Sequence, residues 1–337
     1  MLAHENFAVM LNANARRVSQ SVRRRIERIV PPEQIFYSHD ATESRDITRE
    51  IKSRGYPVVF TGGGDGTFVK FVNDYIESPR SMQPTVGDVP NIGVLHLGTG
   101  NAVAGVVSSG NFECDLKSYV DSGSKDCQPL HLVQAEGSRF PFGGLGWDAE
   151  ILNDYVGLKR SVGANRLLKP IVQNLAGYFA AVFARTIPRK VASMFSKVRT
   201  EVRITNLGSE AHVLHAGEPV KAYGPGEVLY EGPSNITLFG TIPYYGHGMT
   251  VLPYSMSRNG FFHLRVATLS MGKALTHLRS IWKGRYVGSD MLDWHAKHVR
   301  LDFNHPVPYQ FGGDAAGQRE SVEVKITPFQ VNLLRFI

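Results

Sequence analysis

The residues best suited to chemistry form a glycine loop near position 60. Gly62-Gly63-Gly64-Asp65-Gly66-Thr67 follows a short apolar run and precedes apolar residues at helical spacing. Such glycines let backbone amides approach phosphate oxygens, and the helix N-terminus favours anions. Thr67 can cap the helix or donate to a phosphate, and Asp65 could hold a cation, a ribose hydroxyl or a substrate hydroxyl. The loop predicts phosphate binding. It is neither a Walker loop nor a dinucleotide fingerprint, because its residues and spacing differ from both.

Two further polar positions follow apolar runs of the same kind. Gly98-Thr99-Gly100-Asn101 comes after Ile92-Gly93-Val94-Leu95-His96-Leu97, and Asn12 follows Phe7-Ala8-Val9-Met10-Leu11. Polar residues at the carboxyl ends of parallel strands face the ligand crevice of an open sheet. We therefore expect Asn12 and the second glycine loop to face the same ligand as the first loop.

The elements that position these residues are strands followed by helices. Three strand–loop–helix units in roughly the first 110 residues predict an α/β domain with a parallel sheet. After about residue 130 the pattern changes to short alternating runs separated by Gly, Pro and Asn, which predicts a mostly antiparallel β domain. Helical stretches near 165–187 and 272–283 interrupt it.

Composition sets outer limits on the function. The chain has 337 residues, 42% hydrophobic and 20% charged, which excludes a disordered or collagen-like protein. A formal net charge of +7 indicates an anionic partner such as phosphate ligands, anionic lipid or nucleic acid. Two cysteines make neither a disulfide framework nor a zinc site and suit a reducing compartment. The first residues lack a signal pattern, so we expect a cytoplasmic protein, at most attached to a membrane surface.

The motifs resemble a known family in their order along the chain. Gly63-Gly64-Asp65-Gly66-Thr67 is similar to the GGDGT motif of the diacylglycerol kinase catalytic superfamily, which includes sphingosine and ceramide kinases, and NAD kinases share it more distantly. Asn12 matches the Asn of the family's Asn-Pro motif. Gly98-Thr99-Gly100-Asn101 matches the family's second glycine loop, and Gly146-Trp147-Asp148-Ala149 resembles the segment that opens its second domain. Pro253-Tyr254-Ser255, followed by Asn259-Gly260, resembles the family's Pro-x-Ala followed by Asp-Gly. Gly312-Gly313-Asp314 stands where the family has Asp-Gly-Glu.

The resemblance implies an architecture. The implied fold class is α/β plus β. An N-terminal three-layer α/β domain with a parallel sheet would bind the nucleotide, and a C-terminal antiparallel β-sandwich domain would follow it. The site would lie in the cleft between the two domains. We assign residues 1–130 to the first domain, completed by 323–337, and residues 131–322 to the second, lipid-substrate domain. In such families the final segment returns to the first domain, so Val324-Lys325-Ile326 could pair with its sheet.

The resemblance also implies an ATP-dependent lipid kinase that uses Mg²⁺, with metal ligands that the sequence does not identify. Asp314, the one carboxylate of its glycine-rich loop, is expected to be the general base, with a turn aspartate as the alternative. Asp65 would bind the lipid head group or assist the metal. Thr42 would lie near the nucleotide or cap a helix. Nucleotide contacts are expected from Asn12, Thr42, Gly63, Gly64, Asp65, Gly66, Thr67, Gly98, Thr99 and Asn101, and head-group contacts from Asp148, Glu150 and Asp154.

Several positions depart from the family pattern. Lys70 stands where many members have Glu, and Ala102 where Asp is common. Asn101-Ala102-Val103-Ala104 resembles the sphingosine-kinase branch. Gly312-Gly313-Asp314 replaces Asp-Gly-Glu, and the shorter Asp side chain reaches roughly 1.5 Å less far.

A basic apolar segment predicts membrane contact. From Val156 to Thr200 the sequence has nine Lys or Arg residues and no Asp or Glu, with apolar residues at helical spacing. A helix of this kind docks on anionic lipid, although a core-facing helix with a basic outer face is the alternative. We expect a lipid substrate and an anionic membrane surface as partners. Nucleic acid is not expected, because no aromatic-interleaved platform is present, and a homodimer is left open.

Two other functions remain open at this stage. A lipid- or nucleotide-binding regulator with weak or no activity would fit Lys70, Ala102 and Gly312. A kinase of a soluble acceptor such as NAD would fit the glycine motif but not the basic apolar segment. Diacylglycerol, a sphingoid base and ceramide are the candidate acceptors, and the second glycine loop with the acidic segment after Gly146 favours the last two.

Overall fold

The computed structural model describes residues 6–78, 89–123, 126–147, 149, 199–246 and 248–336. Asp148, Glu150 and Asp154 lie outside the described residues. So do the helical stretch at 165–187 and nearly all of the basic segment. The chain divides into two compact units: Met1–Pro141 with Thr241–Met249 and Ile326–Ile337, and Phe142–Gly240 with Thr250–Lys325.

The first unit alternates strands and helices. Its strands are β1 (Phe7–Asn12), β2 (Ile35–Ser38), β3 (Val58–Gly63), β4 (Asn91–His96), β5 (Cys127–Ala135) and β6 (Ser138–Phe140). Its helices are α1 (Gln20–Ile26), α2 (Ala41–Arg54), α3 (Asp65–Glu77), α4 (Ala102–Val106) and α5 (Phe112–Ser122), with one 3₁₀ turn at Pro32–Gln34.

Parallel pairing places the predicted loops at one edge of the sheet. The strand order is β2-β1-β3-β4, and Leu333, near the end of the chain, continues the parallel sheet by pairing with Ile92. Leu11 pairs with Gly62 and Gly63 with His96, so the carboxyl ends of β1, β3 and β4 are in register. This register brings the residues that follow the three strands to the same edge.

The local sequence explains where the helices begin and end. The Asp40 side chain accepts hydrogen bonds from the backbone N–H groups of Thr42 and Glu43 and caps α2, which ends at Gly55 in the left-handed region (φ 68°). Beneath the helices, the rings of Phe7, Phe60 and Tyr119 meet edge to face in the core. Phe60 is fully buried, and such contacts fix α5 against the sheet.

The second unit is antiparallel. Its elements are β7 (Phe142–Gly146), β8 (Glu201–Asn206), β9 (Ala211–His215), β10 (Glu218–Tyr223), β11 (Val228–Pro233), β12 (Ile236–Gly240), β13 (Phe262–Ala267), α6 (Met271–Thr276), α7 (Leu278–Trp282), β14 (Met291–Ala296), β15 (His298–Phe311) and β16 (Asp314–Leu334). β16 belongs to this unit up to Lys325 and to the first unit from Ile326.

Pairing in the second unit follows β10-β9-β14-β13-β12-β7-β15-β16, with β8 between β15 and β11. A buried ionic network ties β13 to β14: Asp293 accepts two hydrogen bonds from Arg265 (2.6 and 3.0 Å) and one from His263 (2.8 Å). The predicted helix at 272–283 is interrupted at His277 (φ −105°, ψ 11°), which separates α6 from α7. The predicted fold class, a parallel α/β part followed by an antiparallel β part, is confirmed.

Candidate functional site

The first glycine loop is a tight strand-to-helix turn. β3 ends at Gly63, and α3 begins at Asp65 after Gly64, which occupies the N-cap position without a side-chain cap. The backbone N–H of Thr67 donates to the carbonyl of Gly64 (2.9 Å). A Cβ atom on Gly63 would collide with the Thr67 side chain, at 2.8 Å from its Cβ. The turn therefore requires glycine at 63 and leaves the start of α3 without a side chain over it, as an anion site needs.

The second glycine loop is shaped by Asn101. This buried residue has a left-handed backbone (φ 53°, ψ 40°) that Asn tolerates better than most residues. Its Oδ1 accepts from the N–H of Gly98, and its Nδ2 donates to the Gly98 carbonyl, both at 2.8 Å. The side chain predicted to contact the nucleotide thus closes its own loop. These bonds fix the shape of the loop, and the contact of Asn101 with the nucleotide stays a prediction.

The two glycine loops pack backbone against backbone. A Cβ on Gly98 would lie 2.7 Å from the Gly63 carbonyl oxygen and would also strike Gly64 Cα. A Cβ on Gly100 would lie 3.0 Å from the Asp65 carboxylate. Only residues without a side chain allow this approach, so the structure brings together the two loops that the sequence predicted separately.

Asp65 joins the loops by a contact that the sequence did not reveal. One carboxylate oxygen accepts from the N–H of Ala102 (3.1 Å), and the other accepts from the N–H of Val103 (2.9 Å). A carboxylate from one loop thus supplies the missing N-terminal acceptor of α4, where the helix dipole favours negative charge. This positioning role adds to the predicted catalytic role of Asp65, which stays a prediction.

Asn12 and Thr67 meet at the end of β1. Asn12 Nδ2 lies 3.4 Å from Thr67 Oγ1, and Asn12 Oδ1 accepts from the N–H of Asn14 (2.9 Å). Thr42 is elsewhere: it is exposed in the first turn of α2, after β2. Since β2 and β3 are separated by β1, that turn is two strands, or roughly 10 Å, from the glycine loop. The alternative that Thr42 caps the helix is wrong, because Asp40 is the cap.

A segment from much later in the chain also packs on the second loop. Residues Thr241–Met249 belong to the first unit, and Gly246 (φ 111°) approaches Gly100 so closely that a Cβ there would be 3.4 Å from Gly100 Cα. The Tyr244 ring lies against Gly105 in α4. The sequence reasoning missed this segment, although its closely spaced glycines after a predicted strand could have drawn attention.

Arg17 and His96 are a second pair that the sequence reasoning missed. His96 ends β4 opposite Gly63, and its Nδ1 lies 3.2 Å from Arg17 Nη1. Burial, together with the Arg17 charge, lowers the pKa of His96, which favours the neutral ring that can accept from the guanidinium. A positive charge is therefore held at the carboxyl edge of the sheet that carries the first glycine loop.

Asp314 belongs to the second unit and follows a tight hairpin turn. Gly312 and Gly313 both have positive φ (57° and 86°) between the paired residues Phe311 and Asp314, as a two-residue turn with left-handed central residues requires. This requirement explains glycine at position 312. Desolvation by surrounding protein atoms raises the pKa of Asp314, although part of the residue is exposed to solvent. The turn and the raised pKa suit a base, but its role stays a prediction.

Two kinds of feature are absent from the part of the chain that the structure describes. Among the described residues, no group of three His, Cys, Asp or Glu side chains is arranged to hold a metal ion. Within the same part of the chain, no helix combines the length and apolar character needed to cross a bilayer.

The first unit is similar to a known protein family. Residues 6–132 match the family model of the diacylglycerol kinase catalytic domain. None of the curated proteins matches the sequence.

Solved structures share the fold along nearly the whole chain. A putative diacylglycerol kinase from Bacillus anthracis str. Sterne is 16% identical, with a TM-score of 0.65, and the alignment covers 98% of each chain. Another diacylglycerol kinase structure from the same organism is 14% identical, with a TM-score of 0.62, covering 98% of this chain and 97% of that one.

The family match supports a kinase of the lipid kinase family and leaves the acceptor open. The resemblance of the sequence to the diacylglycerol kinase catalytic superfamily is confirmed by the match of residues 6–132 to the diacylglycerol kinase catalytic domain.

Proposed function

We propose that this protein transfers the γ-phosphate of ATP to a hydroxyl group of a membrane lipid. The observation that carries the proposal is the pair of glycine loops packed against each other at the carboxyl edge of the parallel sheet, locked by Asp65. Phosphoryl transfer depends on holding phosphates and placing the acceptor more than on covalent chemistry. The first loop and the start of α3 provide backbone donors for that purpose, and the second loop packs rigidly against them.

The transfer step needs one proton acceptor. In our proposal, Asp314 takes the proton from the lipid hydroxyl while the lipid oxygen forms a bond to the γ-phosphorus. The bond between that phosphorus and the β–γ bridging oxygen breaks, and ADP leaves with its electron pair. A carboxylate whose pKa is raised by desolvation holds the proton better than an ordinary Asp.

Mg²⁺ fits this arrangement as a partner of the phosphates. The ion prefers oxygen ligands, keeps several waters and is usually held by one or two carboxylates and the phosphates. Asp65 is the carboxylate at the junction of the loops, where it accepts from Ala102 and Val103, and it is the carboxylate that would hold the ion beside the phosphates. When bound, the ion would neutralise phosphate charge.

The acceptor is proposed to be diacylglycerol, a sphingoid base or ceramide. The test uses the purified full chain with labelled ATP, Mg²⁺ and these lipids in mixed micelles, with NAD as a soluble acceptor. We expect label in a lipid and none in NAD. Label in NAD alone would contradict the proposal, and ATP binding without any labelled product would favour a regulator that has lost the chemistry.

A matched pair of glycine variants tests whether the loops bind the nucleotide. Gly98→Ala forces a Cβ into the Gly63 carbonyl and should displace the loops, whereas Gly110→Ala places its Cβ where nothing lies within 4 Å. Misplacement by about 1 Å can cost roughly 10²-fold in rate. We expect Gly98→Ala to lose at least that much ATP affinity or turnover and Gly110→Ala to remain unchanged. Equal behaviour of the two folded variants would refute the assignment of the loops.

A further inference from the structure

The second unit carries a short helical pair whose apolar side chains are poorly buried. α7 (Leu278–Trp282) reads Leu-Arg-Ser-Ile-Trp and has no buried residue. Leu275 at the end of α6 is 38% exposed, and Val287, just beyond α7, is 57% exposed. Both are among the few large apolar side chains exposed in the described residues. Exposed apolar side chains within one short segment are the feature that a docking surface requires.

The same segment is strongly basic. Arg279, Lys283 and Arg285 are exposed, and none forms an ion pair with another described residue. Lys273 is different, because it is neutralised by Asp290 at 2.5 Å. Between Glu231 and Asp290 the sequence has no acidic residue. Three unneutralised cations therefore share this short segment with the exposed apolar side chains. We refer to Leu275, Arg279, Lys283, Arg285 and Val287 as the basic apolar surface.

The segment is anchored from beneath, so the surface is a fixed feature. Ile281 packs against the small core of Ala267, Leu269 and Tyr286. The backbone N–H of Thr250 donates to the carbonyl of Trp282 (2.8 Å). Backbone bonds from Lys283 to Arg279 (3.3 Å) and from Arg285 to Ser280 (2.9 Å) wind the chain after α7 and keep the three cations on one short stretch.

We propose that the basic apolar surface docks on an anionic membrane. Cations mixed with partly exposed Leu, Ile, Trp and Val side chains are the combination that binds the headgroup region, where apolar groups insert and Lys or Arg meet lipid phosphates. Charge complementarity favours a membrane over a second copy of this chain, because a copy with net charge +7 would present the same cations. The inference rests on the proposed function, since a kinase whose acceptor stays in a bilayer must reach that bilayer.

Charge removal at the surface and elsewhere in the same unit tests the inference. The full chain is sedimented with vesicles of phosphatidylglycerol and phosphatidylcholine. Arg279→Gln/Lys283→Gln/Arg285→Gln is compared with Lys221→Gln/Arg300→Gln/Lys325→Gln, which removes the same charge from exposed positions on strands. Each cation near an anionic surface contributes about 1 kcal/mol, so the first variant should lose about a hundredfold in partition coefficient. The second should lose less than about fivefold.

A second variant addresses the apolar part without changing charge. Leu275→Ser/Val287→Ser alters exposed side chains and should lower vesicle binding about tenfold while thermal unfolding is unchanged. Equal loss in the two charge variants, absence of vesicle binding by the wild type, or no effect of the serine variant would overturn the proposal. So would a wild-type dimer that the serine variant converts to monomers, because a second copy would then cover the surface.

The proposed function can fail separately. Lipid dispersed in uncharged detergent micelles needs no bilayer docking, so the surface variants should phosphorylate it as the wild type does. Vesicle binding with the expected pattern but no labelled lipid would leave the surface intact and reject the kinase. Labelled lipid in micelles, without the expected pattern of vesicle binding, would support the kinase and reject the docking surface.

Discussion

Removal of the Asp65 carboxylate should separate the two glycine loops. In Asp65→Ala the N–H groups of Ala102 and Val103 lose acceptors at 3.1 and 2.9 Å. Each hydrogen bond to a charged group contributes about 1.5–3 kcal/mol, and the partial exposure of Asp65 favours the lower figure. The expected cost is therefore about 3 kcal/mol. In a unit of this size that lowers the unfolding temperature by roughly 6–12 °C.

The distribution of tryptophan makes the effect measurable in one unit. Trp147, Trp282 and Trp294 are the three tryptophans of the chain, and all belong to the second unit. Most of the helical residues that the structure describes lie in α1 to α5 of the first unit, so far-ultraviolet circular dichroism is weighted toward that unit, whereas tryptophan fluorescence follows the second. We expect the dichroism transition of Asp65→Ala to fall more than the fluorescence transition, and nucleotide affinity to drop with it.

Two further variants calibrate the result. Asp121→Ala removes an exposed carboxylate from α5 and should change stability by less than about 0.5 kcal/mol. Asp65→Asn keeps one carbonyl acceptor and should fall between the wild type and Asp65→Ala. If Asp65→Ala unfolds at the same temperature as Asp121→Ala, the carboxylate does not hold the loops together and the reasoning is refuted.

Three other predictions test separate parts of the protein. Burial alone would raise the pKa of Asp293, but hydrogen bonds from His263 and Arg265 outweigh burial and lower the pKa to about 2. About 2.5 kcal/mol of stability should therefore be present above pH 4 and be lost as the pH falls toward 2. Urea unfolding should detect this loss, and Asp293→Asn should abolish it. Asp314→Asn should reduce lipid phosphorylation by about 10²–10⁴-fold with unchanged ATP binding, and a fully active Asn variant would exclude Asp314 as base. Gly246→Ala and Gly248→Ala both place Ala at positive φ, so each variant should lose about 1 kcal/mol of folding stability. Of the two glycines, Gly246 contacts Gly100 and Gly248 does not, so equal nucleotide affinities of the two variants would contradict a role for that contact.

The sequence predicted those parts of the site that depend on local pattern. Apolar runs followed by glycines were enough to place the ends of β3 and β4, and parallel pairing then required their loops to meet. Contacts between distant segments had no such signal. The bonds from Asp65 to the start of α4 and the packing of Gly246 on Gly100 depend on tertiary approach, which neither periodicity nor spacing encodes. Asp40 and Thr42 are both residue types that cap helices, and only the backbone geometry shows that Asp40 is the cap.

The positions that depart from the family pattern have local explanations in the structure. Ala102 is buried at the start of α4, where its small side chain avoids the cost of burying a charge. Lys70 pairs with Asp74 one turn along α3 (2.7 Å), with Arg45 at 3.7 Å from the same carboxylate. Gly312 satisfies the positive φ of a hairpin turn.

These explanations bear on the choice between an active kinase and an inactive regulator. The close packing of Gly98 and Gly100 against neighbouring protein atoms is required by the two loops themselves, with or without a bound ligand. An inactive regulator with the same fold would need the same glycines. The lipid panel therefore separates the two functions, because only an active kinase labels a lipid, whereas ATP binding is expected of both.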